Sequence, residues 1–116
     1  MAAKRKVEIG ILLPTRGVLL WNKGKPEIGL LLDLAVQAEE SGYDSIFVGD
    51  SILARARLEA ISVLSAIAAR TKRVKLGTAV FLPALRHPVQ AAYQVATLDI
   101  LSGWRVILGC GIGPPD

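Results

Sequence analysis

Asp50, Ser51, His87, Cys110 and the glycines at Gly109, Gly111 and Gly113 are the residues of this chain whose types could do chemistry. An aspartate can accept hydrogen bonds from a ligand or act as a general base. A serine nucleophile needs a base at its side, and none neighbours Ser51 in the sequence. His87 precedes Pro88, a pair that suits the start of a helix. Cys110 has no partner cysteine, so its default is burial as a small apolar residue. No catalytic triad or metal-ligand cluster can be argued from these residues. The run Gly109-Cys110-Gly111-Ile112-Gly113 departs from the dinucleotide fingerprint, which is G-x-G-x-x-G opening a helix; here Pro114-Pro115 follows. A phosphate-loop Gly-Lys-Ser/Thr is also missing from the sequence. Close backbone approach at a strand end is the better account of the glycines.

The elements that position these residues alternate in type. Four short apolar runs end at Pro14, Asp50, Pro83 and Gly113. They predict strands over residues 7–13, 45–48, 74–82 and 105–108. Helical spacing predicts helices over 27–41, 58–71 and 88–101. The expected buried faces are Ile28, Leu31, Leu32, Ala35 and Ala38, then Ile61, Leu64, Ile67 and Ala68, then Val89, Ala92, Tyr93 and Ala96. Pro26 suits a first helical turn and Gly42 a stop. Residues 15–26 read as a loop, with Gly17 and Gly24 around an apolar patch. Gly77, inside the third run, marks a bulge or a close backbone contact. Strand–helix alternation implies a parallel sheet, because parallel strands need long crossovers. Such folds place their chemistry at the carboxyl ends of the strands.

Composition narrows the class. The 116 residues are 52% hydrophobic and carry a net charge of +4. That suits one domain whose strands are covered on both faces, or a piece of a larger fold. No apolar run reaches the roughly 18–20 residues of a membrane span. The basic start, Met1 to Lys6, leads straight into a strand and lacks the apolar stretch of a secretory signal. Together with a single cysteine, this points to a cytoplasmic, reducing compartment. The basic residues are scattered and aromatics are 5%, a poor match for a nucleic-acid platform. An anionic cofactor or a solvated surface explains the charge better.

Five segments occur in a telling order. They are Asp44-Ser45-Ile46-Phe47-Val48-Gly49-Asp50-Ser51, Val74-Lys75-Leu76-Gly77-Thr78-Ala79-Val80, Arg86-His87-Pro88-Val89, Leu98-Asp99-Ile100-Leu101-Ser102-Gly103, and Ile107-Leu108-Gly109 with Gly111. Together they resemble the bacterial-luciferase-like monooxygenase family, over nearly the whole chain. The resemblance implies an α/β fold, a partial (β/α) TIM barrel. Residues 1–116 would be its amino-terminal half, the first four parallel strands and three helices of an eightfold barrel of roughly 300 residues.

The resemblance also implies a flavin-dependent oxidoreductase or monooxygenase acting on a small organic substrate. The cofactor would be FMN or the deazaflavin coenzyme, factor 420. A homodimer is one assembly it allows. The flavin ring would pack on a non-prolyl cis peptide at Ala79–Val80, with Thr78 donating to the ring edge. Gly109 and Gly111 would let the backbone approach. Asp50 would be the acid beside the flavin, both catalytic and cofactor-contacting. The loop over residues 15–25, with Trp21, would form a substrate-side wall. Three positions depart from the family pattern. Ser51 stands where many members have histidine, Pro114 where some have glutamate, and Trp104 where glycine is usual. A side chain in a left-handed turn costs about 1–2 kcal/mol. The resemblance further implies that this portion alone is inactive. A non-catalytic flavin-binding protein and a half-barrel interaction module are the alternatives.

Overall fold

The structure, a computed structural model, describes residues 6–113. Most of the basic start and the Pro114 position lie outside the described residues. Four strands, β1 (Gly10–Leu12), β2 (Ser45–Val48), β3 (Lys75–Phe81) and β4 (Val106–Cys110), pair in parallel and in chain order. A doubly wound sheet would reverse its strand order at a switch point. Unbroken sequential order makes this an arc of a (β/α) barrel. The crossovers are carried by α2 (Ile28–Glu40), α3 (Ala60–Arg70) and α4 (Pro88–Leu101). A short helix, α1 (Gly17–Leu20), and a 3-10 turn at Pro83–Leu85 lie in the loops after β1 and β3. Among the described residues no helix is long and apolar enough to cross a membrane.

Register decides which side chains form the core. Ile11, Ile46, Leu76 and Val106 line up in one row across the sheet, and Val48, Thr78 and Leu108 in a second row on the same face. Leu31, Ala35 and Ala38 of α2, Ile61, Leu64, Ile67 and Ala68 of α3, and Ala91 and Leu98 of α4 join Ile46, Val48 and Leu76 in the buried core, while Leu108 on the edge strand is exposed. Each fully buried Leu or Ile contributes about 1.5–3 kcal/mol. The opposite face carries Leu12, Phe47, Gly77 and Ile107 in one row. Leu12 and Ile107 are exposed there.

Three expectations need correction. The first strand is three residues long rather than seven, paired with β2 over Gly10–Leu12. Residues 15–26 are not all loop. Val18 is buried and anchors the α1 turn, in which Trp21 N–H donates to Gly17 O at 2.9 Å. The buried face of α4 is Ala91, Val95 and Leu98, while Val89 and Tyr93 are 70% and 77% exposed. That helix is apolar on most sides, so spacing alone could not select its face.

The amino-terminal rim of the sheet is closed by hydrogen bonds to charged groups. One carboxylate, Glu39, accepts from the N–H groups of Lys72, Arg73 and Val74 at the entry to β3. Asp44 accepts from Ile9 N–H at 2.9 Å, and Asp99 from Val106 N–H at 3.1 Å. Arg105 donates from all three nitrogens, to Ser102 O, Thr71 Oγ1, Val74 O, Ala68 O and Thr71 O. Two of those carbonyls lie in the last turn and the cap of α3. Helix termini leave such groups without intrahelical partners.

Candidate active site

At the other rim the third strand bulges. Thr78 registers with Leu108, but Phe81 registers with Cys110, so β3 carries one residue more than β4 over the same span. The Ala79–Val80 peptide there is cis. Ala79 is exposed and Val80 is 42% exposed, which leaves a small apolar platform at the carboxyl end of the strand.

Gly109 and Gly111 are shaped to this bulge. A Cβ on Gly109 would fall 2.4 Å from the Thr78 carbonyl oxygen, and one on Gly111 would fall 2.6 Å from Val80 Cγ2. Real Cβ atoms do not come so close, so β4 follows the bulge by having no side chains there. Gly111 N–H donates to Phe81 O at 2.9 Å. Thr78 is buried, and its hydroxyl donates to Gly109 O at 2.9 Å. That hydroxyl is therefore committed to the β4 backbone.

Asp50 ends β2 and holds the chain just past the bulge. Its Oδ2 accepts from Leu82 N–H at 2.9 Å and from Arg86 Nη1, and its Oδ1 accepts from Arg86 Nη2 at 3.0 Å. The two side chains are 3% and 12% exposed. Arg86 also donates to Glu59 Oε1 and lies 4.2 Å over the Phe81 ring. Burial by itself would raise the Asp50 carboxyl. The hydrogen bonds from Arg86 and Leu82, with the charges of Arg86 and Arg57, outweigh it and hold the group below its ordinary value. Asp50 is thus an ionised acceptor already supplied with donors. Glu59 caps α3 by accepting from Ile61 and Ser62 N–H at 3.1 and 2.7 Å.

Two further arginines close the ends of β1 and β2. Arg57 Nη1 donates to Thr15 Oγ1 at 3.1 Å, and its guanidinium lies over Gly49, where a Cβ would sit 2.3 Å from Nη1. Arg16 Nη2 donates to Ser51 Oγ at 3.3 Å, and Ser51 Oγ donates to Arg55 O at 3.2 Å. The Nε atoms of Arg16 and Arg57 are buried with no hydrogen-bond partner among the described residues. Burial, then the charge of Arg16, lowers the Arg57 pKa, and Asp50 partly offsets this.

The sequence-nominated residues therefore fall in two groups. Thr78, Ala79, Val80, Gly109 and Gly111 meet at one bulge, and Asp50 braces the chain beyond it. His87 lies apart as the N-cap residue of α4, exposed, its carbonyl accepting from Ala91 N–H. Cys110 is exposed, against the expectation of burial. It lies on the edge strand β4 and lines an apolar groove of about 570 Å³ with Phe81, Val95 and Leu108. Arg16, Arg57 and Glu59 carry no motif in the sequence, and Arg86 enters only as the first residue of the Arg86-His87-Pro88-Val89 segment, without a role. The signal available was position, since each follows closely on an apolar strand or belongs to the loop after one.

A family model described as luciferase-like monooxygenase matches residues 7–116. The chain is similar to the F420-dependent glucose-6-phosphate dehydrogenase of Amycolatopsis mediterranei, 44% identical over 90 residues that cover 72% of this chain and 27% of that protein. It resembles the coenzyme F420-dependent tetrahydromethanopterin reductase of Methanopyrus kandleri, with TM-score 0.77 and 29% identity over 94% of this chain and 28% of that one. The FMN-bound oxygenating constituent of 3,6-diketocamphane monooxygenase from Pseudomonas putida shares the fold, with TM-score 0.80 and 22% identity over 95% of this chain and 30% of that one. This chain thus spans well under half the length of the proteins it matches.

Proposed function

The chain belongs to the luciferase-like monooxygenase family, and we propose that it forms the amino-terminal arc of a flavin-dependent oxidoreductase barrel whose flavin lies on the Ala79–Val80 platform. On this reading residues 1–116 are the amino-terminal half of one barrel domain and are inactive alone. The preferred cofactor is the deazaflavin, in keeping with the name of the 44% identical relative. The substrate is a small organic molecule. When bound, the deazaflavin supplies hydride transfer, and reduced FMN in its place supplies oxygen activation.

The observation that carries the reading is the platform itself. Ala79 and Val80 are exposed on a bulge that Gly109 and Gly111 fit from behind. Leu12, Phe47 and Ile107, on the sheet face away from the helices, extend the apolar ground. A flat ring system fits such a surface, and packing there excludes water from one of its faces. Thr78 fixes the Gly109 carbonyl, and Asp50 fixes Leu82 N–H and Arg86. We assign Asp50 as a positioning residue that also keeps a negative charge beside the platform, in place of a freely titrating base.

FMN-dependent oxygenation is the second reading, favoured by Ser51. Its hydroxyl accepts from Arg16 and donates to Arg55 O, so it supplies no titrating group to remove a substrate proton. Titration of the full-length native protein with each cofactor, followed by fluorescence, tests both. Saturable deazaflavin binding with hydride exchange supports the first reading. FMN binding with oxygen uptake selects the second, and binding of neither overturns both.

A further inference from the structure

Arg16 and Arg57 form an unusual pair. Each reaches across to the other's loop. Arg57 donates to Thr15, the neighbour of Arg16, and Arg16 donates to Ser51, in the loop that leads to Arg57. The crossing brings two like charges to the ends of β1 and β2. A guanidinium has five N–H donors. Among the described residues each of these two makes one side-chain hydrogen bond, and both Nε atoms are buried without a partner. Burying a charged donor without an acceptor is unfavourable.

Nearby carboxylates relieve the pair only in part: the charge of Asp50 favours the Arg57 cation without accepting a hydrogen bond from it. The Asp50 oxygens are taken by Arg86 and Leu82, and those of Glu59 by the α3 cap and Arg86. Beside Arg57 lies a cavity of about 230 Å³, lined by Asp50, Ser51, Arg55, Arg57 and Glu59 among others; Arg16 is not one of its lining residues and adjoins it through its hydrogen bond to Ser51. Arg16 Nη1 and Arg57 Nη2 make no hydrogen bond among the described residues and are free to donate.

We propose that Arg16 and Arg57 form an oxyanion site, which binds the phosphate or carboxylate group of a small molecule at the carboxyl ends of β1 and β2. Planar guanidinium forks match the paired oxygens of such groups. A bound oxyanion accepts from Nη groups of the two guanidinium forks and offsets the repulsion between the two cations. Neither arginine belongs to the Ala79–Val80 platform, although Asp50 borders both places, so the site stands independently of the flavin reading.

The test titrates the full-length native protein with inorganic phosphate and with acetate, at constant ionic strength set by chloride, using calorimetry and thermal melting. Saturable phosphate or acetate binding is expected. Arg16→Gln and Arg57→Gln weaken it about tenfold or more. Arg70→Gln removes the same charge from the exposed far end of α3 and leaves it unchanged. Arg57→Lys keeps the charge without the fork and weakens binding less than Arg57→Gln. In chloride buffer without phosphate or acetate, Arg16→Gln melts no lower than the wild type, because it relieves repulsion.

No saturable response in the wild type overturns the site. So does binding that survives both glutamine variants, or that Arg70→Gln weakens equally. Displacement of bound phosphate by FMN but not by riboflavin identifies the cofactor's phosphate as the ligand. Phosphate binding undisturbed by either assigns the site to the substrate. Flavin binding without an oxyanion response defeats this site and leaves the platform reading intact, and the reverse result does the opposite.

Discussion

Arg105 at the amino rim and the Arg16–Arg57 pair at the carboxyl rim are used in opposite ways, while Arg86, also at the carboxyl rim, is paired with Asp50 and Glu59. At the amino rim, Arg105 donates to four carbonyls and a hydroxyl and joins α3, β3 and the turn before β4. At the carboxyl rim, Arg16 and Arg57 make one bond each and keep buried donors unmet. A saturated arginine behaves as a structural bolt, because every donor already has its acceptor. An arginine with spare donors is arranged for something that arrives later. Barrel folds divide labour in this way, with stability at one end and chemistry at the other.

The strongest test of that contrast is a matched pair of truncations. Arg105→Ala strips acceptors of their partner and is expected to lower unfolding free energy by about 2–4 kcal/mol, whereas Arg57→Ala costs less than about 1 kcal/mol. Equal urea midpoints for the two variants would break the contrast. Next comes Gly109→Ala, whose new Cβ would strike the Thr78 carbonyl. An expected cost of about 1–3 kcal/mol should come with a loss of flavin affinity, read by fluorescence titration. Loss of stability with unchanged affinity would detach the bulge from the cofactor.

Glu39→Gln sharpens the amino-rim side. Burial would raise the Glu39 carboxyl, but the N–H groups of Val74, Arg73 and Lys72 and the charge of Arg105 hold it below its ordinary value. Its contribution is therefore fully present above the unfolded carboxyl value of about 4.3 and fades as pH falls through the lower folded value. The variant should lose about 1–2 kcal/mol at neutral pH and less in acid, so its stability curve has a shallower acid limb. An acid limb parallel to that of the wild type would show that the charge contributes nothing.

The smallest effect has the opposite sign. Trp104 is 75% exposed at φ +64°, a left-handed conformation that favours glycine. Trp104→Gly should gain about 1 kcal/mol, seen as a higher melting temperature. A loss would mean that the indole packs against something that covers this turn.

Much of the fold was legible because strand ends carry their own punctuation. Pro14 and Gly49-Asp50 marked where β1 and β2 end, and Gly77 marked a close approach, to the Phe47 ring, rather than the bulge that follows Thr78. The stripe on α3 was legible because the large residues Ile61, Leu64 and Ile67 recur every three positions, with the small Ser62, Ser65 and Ala66 between them. The α4 face was not, since a helix apolar on most sides gives periodicity nothing to distinguish. The crossed arginines were hidden for a different reason. Arg16 meets Ser51 across 35 positions and Arg57 meets Thr15 across 42, and the long side chains bridge loops that only the sheet brings together. Asp50 was found by its place at a strand end, but its pairing with Arg86, 36 positions on, was not.

The fit between β4 and the bulge of β3 has a consequence for how such a chain can change. Gly109 and Gly111 are the mould, and the bulge at Ala79–Val80 is the cast. A mould cannot be altered alone: any side chain at 109 needs a β3 that has straightened, and a straightened β3 presents no platform. The two segments, about thirty positions apart in the chain, are therefore inherited as a single character, and a descendant that keeps one while losing the other has lost the shape that both exist to make.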